Sequence, residues 1–259
     1  MKTQPTYRQG CTLFKNPRLL GSEGLFRHIA SNAQKKGLVV NGKKTTLLII
    51  SAARSYESRA HIYDQQDQRV DSVPNMKVLG FILNQRGDIS SHLDHIKKKF
   101  RTKVWCLREL RKAKFSEKDL IRIYTTYLRP TLEYAAQVFH PMMSRDQTVE
   151  IERQQYLALK TIYGFVYSNA QVLQMSGLES LEDRRLSLCK NFALKTAANG
   201  RFRDWFPLRR RSVRARGSEE YVEIRARTDR RYFSPLFYYR RLLNEHRTNY
   251  DVRTMNTEN

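Results

Sequence analysis

The feature that most constrains this chain is a change of period at Gly87. Beyond it, apolar residues recur at helical spacing for more than a hundred residues, which requires several amphipathic cylinders to pack on one another. Leu93, Ile96, Phe100, Val104 and Leu107 make the first stripe, and Lys97, Arg101, Arg108, Arg111 and Lys112 fall on the adjacent arc. This helix, spanning Ser90 to Lys114, has an apolar back and a basic flank. Ser116 with Asp119 starts a second helix in the manner of a capping box, with the stripe Leu120, Ile121, Tyr124, Leu128, Leu132, Ala135 and Val138 and a stop at His140-Pro141. Pro130 lies opposite that stripe, which predicts an outer kink without a break in the packing. Ser144 with Gln147 opens a third helix, carried by Val149, Leu157 and Ile162 and closed by Gly164. A short helical turn from Asn169 to Gln174 leads to Gly177. Ser180 with Asp183 caps a fourth helix carrying Leu181, Leu188 and Phe192 and ending at Asn199-Gly200. Residues 87–200 therefore read as a small helix bundle with brief connections.

Ahead of Gly87 the pattern is different. Residues 1–21 show no period and read as a loose arm. Ser22 is placed to cap a short helix with Leu25, Phe26, Ile29 and Ala33 on one face and Gly37 at its end. Leu38 to Asn41 and Thr45 to Ser51 are β-rich runs around Gly42-Lys43-Lys44, which predicts a hairpin. Ala60 to Asp64, Gln68 to Val73 and the run Met76 to Leu83 are further strand candidates, with Gly80 marking a bulge or a close backbone approach. The predicted class is α+β: a small antiparallel sheet within 22–86, the bundle over 87–200, and a basic aromatic tail over 201–259. That tail carries Arg209, Arg210, Arg211, Arg214 and Arg216, then Tyr232, Phe233, Phe237, Tyr238 and Tyr239.

Charge narrows the partner. Forty-eight Lys and Arg against 25 Asp and Glu leave a formal +23, and self-repulsion on that scale calls for a polyanion. RNA, DNA or an RNA–DNA duplex is the leading class, because each cation that neutralises a phosphate releases condensed counterions. A membrane is not expected. No apolar run approaches the roughly 20 residues of a span, the basic residues are spread over several elements, and the start lacks a secretory signal. Three widely separated cysteines, Cys11, Cys106 and Cys189, exclude a disulfide framework. The chain reads as intracellular, nuclear or cytoplasmic.

The common catalytic signatures fail. There is no Gly-x-Ser-x-Gly elbow, no phosphate-binding Walker loop and no Gly-x-Gly-x-x-Gly fingerprint. His92-x-x-His95 with Cys106 could be imagined as metal ligands, but no fourth ligand is evident and a solvated helix end accounts for them. Asp64 and Asp67 have a spacing that suits paired carboxylates, but they sit in a polar turn, and a hairpin tip accounts for them better. Trp105, just beyond the basic flank, suits either packing or contact with a base or sugar.

Three segments in order carry a family resemblance. Gly37-Leu38-Val39-Val40-Asn41-Gly42-Lys43-Lys44-Thr45 resembles motif D of reverse transcriptases, and Lys77-Val78-Leu79-Gly80 resembles the strand of motif E, the primer grip. Leu128-Arg129-Pro130-Thr131-Leu132-Glu133-Tyr134-Ala135, Val138-Phe139-His140-Pro141 and Leu178-Glu179-Ser180-Leu181-Glu182-Asp183-Arg184-Arg185 are similar to the region beyond the palm in non-LTR retrotransposon enzymes. The resemblance covers roughly 22–245. It implies a palm remnant followed by a thumb. Asn41, Lys44 and Thr45 would be motif D positions, with Lys44 helping to protonate leaving pyrophosphate or to order the nucleotide. Leu79 and Gly80 would hold the primer end, and the basic flank of Lys97, Arg101, Arg108, Arg111 and Lys112 would lie along a template–primer duplex. Independently of the resemblance, Arg209, Arg210 and Arg211 of the basic tail are a further candidate contact for nucleic acid.

The departure from the family concerns activity. Intact relatives bind two Mg2+ ions through one aspartate of motif A and two of a Tyr-x-Asp-Asp hairpin. The chain begins too late for motif A, and no Tyr-x-Asp-Asp precedes Ser22. The expectation is a fragment that binds nucleic acid, is inactive as a polymerase by itself, and has no cofactor of its own. The alternative is a free-standing, non-catalytic nucleic-acid-binding module.

Overall fold

Gly37 ends the first helix as its sequence position requires. With φ at 73°, it lets the Leu38 N–H reach the Ala33 carbonyl and its own N–H reach that of Gln34, both at 2.9 Å. This is the Schellman closure, and its left-handed residue is one that glycine adopts without strain. The helix, α1 (Leu19–Lys35), starts ahead of Ser22, which lies inside it. It turns Phe26 and Ala30 inward, while Leu25 and Ile29 face outward. The computed structural model describes residues 11–14, 19–41, 44–50, 61–63, 69–209, 221–223, 228 and 232–257. They fall into two units, Met1–Asp94 and His95–Asn259.

Among the described residues, the first unit holds three two-stranded sheets. Strands β1 (Cys11–Phe14) and β2 (Thr46–Ile49) pair in parallel, Cys11 opposite Thr46. The loose arm therefore contains a strand, and the expected hairpin of 38–41 with 45–51 is not formed. Its acceptors are used locally: the Lys44 N–H and the Thr45 hydroxyl both donate to the Asn41 carbonyl, at 3.1 and 3.0 Å, closing a tight turn. Strands β3 (His61–Tyr63) and β4 (Arg69–Asp71) are antiparallel with Ile62 opposite Val70. Asp64 and Asp67 lie outside the described residues. Phe26, Leu47, Ile62 and Val70 form this unit's core, with Val40 and Ile49 against it.

The run from Met76 to Leu83 is two strands. β5 (Asn75–Val78) and β6 (Phe81–Asn84) pair antiparallel with Val78 opposite Phe81. The loop is Leu79-Gly80, with φ at 48° and 87°, the pattern of a type I′ hairpin turn. Gly80 thus marks a chain reversal where a bulge or a close backbone approach was expected. Leu79 takes the left-handed conformation without glycine's freedom, and it is 89% exposed.

The bundle begins with α2 (Ser90–Lys112). The division between the two units falls within it. All five residues of the first stripe, Leu93 to Leu107, are buried. Ser116 caps α3 (Glu117–Ile123), its hydroxyl accepting from the Asp119 N–H. From there the expected single helix is interrupted twice. Tyr124–Leu128 widens into a π turn in which the Arg129 N–H reaches the Tyr124 carbonyl, one residue ahead of Pro130, whose missing N–H and ring obstruct regular bonding. After α4 (Arg129–Glu133), Ala135 adopts φ 60°, ψ 25°, and α5 (Ala136–Phe139) starts anew. This left-handed residue shifts the phase of the stripe by one. Leu120, Tyr124, Leu128 and Leu132 are buried as expected, but Ala136 and Phe139 follow them in place of Ala135 and Val138.

Ser144 and Gln147 form the reciprocal capping box that opens α6 (Arg145–Tyr163), and Gly164 closes it. Ile151, Ala158, Leu159 and Ile162 are its buried apolar residues, whereas Val149 is exposed. Ser168 and Gln171 make a second box on α7 (Asn169–Ser176), which ends at a left-handed Gly177. Ser180 caps α8 (Leu181–Ala198). Its inward ridge is Leu181, Arg185, Cys189, Ala193 and Thr196, not Leu188 and Phe192, because α8 packs against α5 and a C-terminal helix; small side chains permit that approach. The C-terminal helix is α9 (Pro235–Thr257). Tyr239, Leu242 and Leu243 join Cys189, Ala193 and Phe206 in one core. Much of what reads as a tail is therefore structural, and Arg240 within it is buried, donating to the carbonyls of Trp205 and Val222.

Candidate nucleic-acid interface

α2 holds eight Lys and Arg against Asp94 and Glu109. At 100° per residue these cations cannot share one role, and the structure sorts them by direction. Lys97 turns toward α6, where its ammonium sits 2.6 Å from the Glu150 carboxylate with only 13% of its side chain exposed. One turn on, Arg101 Nε donates to Gln154 Oε1 at 3.2 Å. At the far end Arg111 Nη1 donates to the Thr161 carbonyl at 2.8 Å. Partners that advance together on both helices mean that α2 and α6 run side by side in the same direction, tied by three cations. Lys103 is also committed inward. It donates to the Tyr127 carbonyl at 2.9 Å and to Thr131 Oγ1 at 2.8 Å, and it lies 4.0 Å over the Tyr127 ring. Burial, and then the neighbouring Lys99, push its pKa down.

A second set faces out. Lys98, Arg101, Trp105, Arg108 and Lys112 are exposed, and their numbering places them on one face of the helix. Trp105 is 63% exposed. This removes simple packing as an account of it and leaves a flat aromatic surface among cations. Lys112 is engaged by Glu109 at 2.8 Å, both partly in solvent, where such pairs hold weakly. Arg108 makes no hydrogen bond or ion pair among the described residues. Of the predicted contact residues, then, Lys97 is spent within the bundle, Arg101 and Arg111 combine a tether with exposure, and Arg108 and Lys112 face solvent. Sequence reasoning missed Lys98, although its spacing from Arg101 and Trp105 carries the signal.

The remaining predicted positions lie on other elements. Lys44 and Asn41 are exposed in the turn before β2, with Thr45 partly covered. Leu79 and Gly80 form the tip between β5 and β6. Arg209 is exposed, and Arg210 and Arg211 lie outside the described residues. His92 is not at a solvated helix end: it is fully buried, its ring 4.3 Å from that of Phe81. Among the described residues, no three His, Cys, Asp or Glu side chains are grouped to hold a metal ion, and no helix is long and apolar enough to cross a membrane.

Two other features of the second unit do not suit phosphate. Arg185 is fully buried, 4.0 Å from Glu152, whose carboxylate also accepts from the Glu182 N–H. Burial lowers the pKa of the arginine and raises that of the glutamate. With Glu133 bonded to Arg184 and near Arg129, this is an interior ionic cluster closed to a macromolecule. An apolar hollow of about 760 Å³ is lined by Val138, Phe192, Trp205, Phe206 and Leu236, with no charged side chain among its described lining residues. Comparison of the chain with protein-family models, with curated proteins and with solved structures finds no match in any of the three.

Proposed function

We propose that this protein binds nucleic acid through the outward face of α2, as the thumb-like portion of a reverse-transcriptase-like polymerase. The observation that carries the reading is the exposed Trp105 ring set among Lys98, Arg101, Arg108 and Lys112. Cations of this kind neutralise backbone phosphates without base specificity, and an exposed ring stacks on a base or sugar. Two features support the polymerase class. The motif-like segments follow the family's order along the chain, and Leu79 is held exposed in a left-handed turn, a strained presentation of the sort found where a tip touches a ligand. The 259 residues contain no Tyr-x-Asp-Asp, so the function proposed for the chain is binding, with RNA–DNA template–primer as the partner.

Competition binding tests this. The protein is expected to prefer a primer–template junction to a blunt duplex, and the double variant Arg101→Glu, Arg108→Glu is expected to lose affinity while keeping its helix content. Equal affinity for both substrates, with a steep salt dependence, would make the protein a free-standing packaging module. Undiminished binding by the double variant at low salt would remove α2 as the contact surface. Nucleotide incorporation in a primer-extension assay would refute the inactivity of the chain.

A further inference from the structure

The loop between α6 and α7 presents Phe165, Val166 and Tyr167 to solvent, with Phe165 63% and Val166 90% exposed. Three consecutive apolar residues, two of them rings, are thus open to solvent together. Its presentation is fixed at both ends. Gly164 sits at φ 128°, ψ 154°, a region essentially reserved for glycine, while the Ser168–Gln171 box locks the start of α7. Tyr163 is tied to the Met175 carbonyl by its hydroxyl at 3.3 Å. The loop also adjoins the end of α2. A Cβ placed on Gly164 would lie 3.9 Å from both Arg111 Nη2 and the Tyr167 ring. Phe115, in the turn that follows α2, is exposed as well.

We propose that this loop is a second contact for nucleic acid, stacking Phe165 and Tyr167 on unpaired bases where a duplex opens into single strand. The inference rests on the reading of α2 as the duplex-binding face and extends it. Arg111, in the last turn of α2, is the cation brought to Gly164 and the Tyr167 ring, so a strand that follows the cations of α2 to its end reaches this loop. Arg111, Lys112, Lys114, Lys118 and Lys160 outnumber Glu109, Glu117 and Asp119 at this end of the bundle, which leaves a net positive charge to face a polyanion. Rings stack on bases of any sequence, which suits a contact read through shape and charge. Three apolar residues offer little area for anchoring in a bilayer.

The test uses the full chain, a labelled RNA–DNA duplex with blunt ends, and the same duplex with a single-stranded overhang, read by fluorescence anisotropy. The wild type is expected to prefer the overhang. The variant Phe165→Ser, Val166→Ser, Tyr167→Ser is expected to bind the overhang substrate roughly tenfold more weakly, with little change on the blunt duplex and an unaltered thermal transition. Phe165→Trp is expected to keep the preference. A wild type without preference, a triple variant that keeps it, or a Phe165→Trp protein that loses it would each overturn the proposal. So would loop-dependent binding to phosphatidylserine–phosphatidylcholine vesicles with nucleic-acid binding unchanged. The Arg101→Glu, Arg108→Glu protein separates the two readings: if it keeps blunt-duplex affinity while the loop variant loses the overhang preference, the α2 face fails and the loop stands.

Discussion

The Lys97 ammonium lies 2.6 Å from the Glu150 carboxylate, largely shielded between α2 and α6. Arg108, three turns further along α2, points to solvent. Two cations of the same stripe thus do different work. Lys97→Ala is expected to lower stability by about 1 kcal/mol, the pair being half in water on the glutamate side, and to leave the salt dependence of nucleic-acid binding unchanged. Arg108→Ala is expected to leave the denaturant midpoint in place and to reduce the slope of log K against log salt by about one. Salt titrations of both variants, set beside urea melts, check the division.

Trp105 is expected to contribute to binding and not to folding. Trp105→Ala should weaken binding to single-stranded or junction substrates by about 1 to 3 kcal/mol with a shift in melting temperature within error. With Trp205 replaced by Phe, so that Trp105 is the sole reporter, its fluorescence should be quenched on titration with nucleic acid.

Ala135 adopts a left-handed backbone, φ 60°, ψ 25°, between α4 and α5. An L-residue with a Cβ is strained there by roughly 1 to 2 kcal/mol. Ala135→Gly is expected to stabilise the fold by up to about 1 kcal/mol after the entropy that glycine adds to the unfolded chain. Leu128→Ala, two turns earlier in the fully buried stripe, is expected to cost about 2 to 5 kcal/mol. Chemical denaturation of the two variants reads both signs.

His140 gives the bundle a specific acid response. Burial, followed by the Arg185 guanidinium, lowers its pKa to about 4, and its ring faces that of Tyr238 at 6.0 Å. The unfolded chain takes up this proton near pH 6.5 and the folded one near 4, so stability falls as pH drops through that window and the loss is complete below it. The full difference is about 3 kcal/mol. His140→Gln is expected to flatten the slope by close to one proton, read from urea midpoints between pH 7 and 4.

Three helix starts were legible in the sequence because capping is a local hydrogen-bond exchange, whereas α1 starts ahead of its expected cap, Ser22. Ser116, Ser144 and Ser180 each accept from the N–H three residues on. The buried stripe of α2 followed from spacing alone. What escaped depended on neighbours distant in sequence. β1 exists through pairing with β2 across more than thirty residues. On α8 the inward ridge beyond Leu181 is small or charged, since proximity to α5 and α9 favours Cys189 and Ala193, and no periodicity rule places Arg185 in an interior. Ala135 carries no glycine to announce its turn. At the candidate site the cationic arc was legible, but which members spend their charge on α6 was not, because Glu150, Gln154 and Thr161 lie some fifty residues downstream.

The three tethers from α2 to Glu150, Gln154 and Thr161 fix the rotational setting of that cylinder from its inner side. Apart from Arg101, which serves both, the outward residues take no part in holding the helix in place. Residues such as Lys98, Trp105 and Arg108 can change under selection for a different ligand while the scaffold beneath them stays the same, so affinity and stability can evolve on opposite sides of one helix.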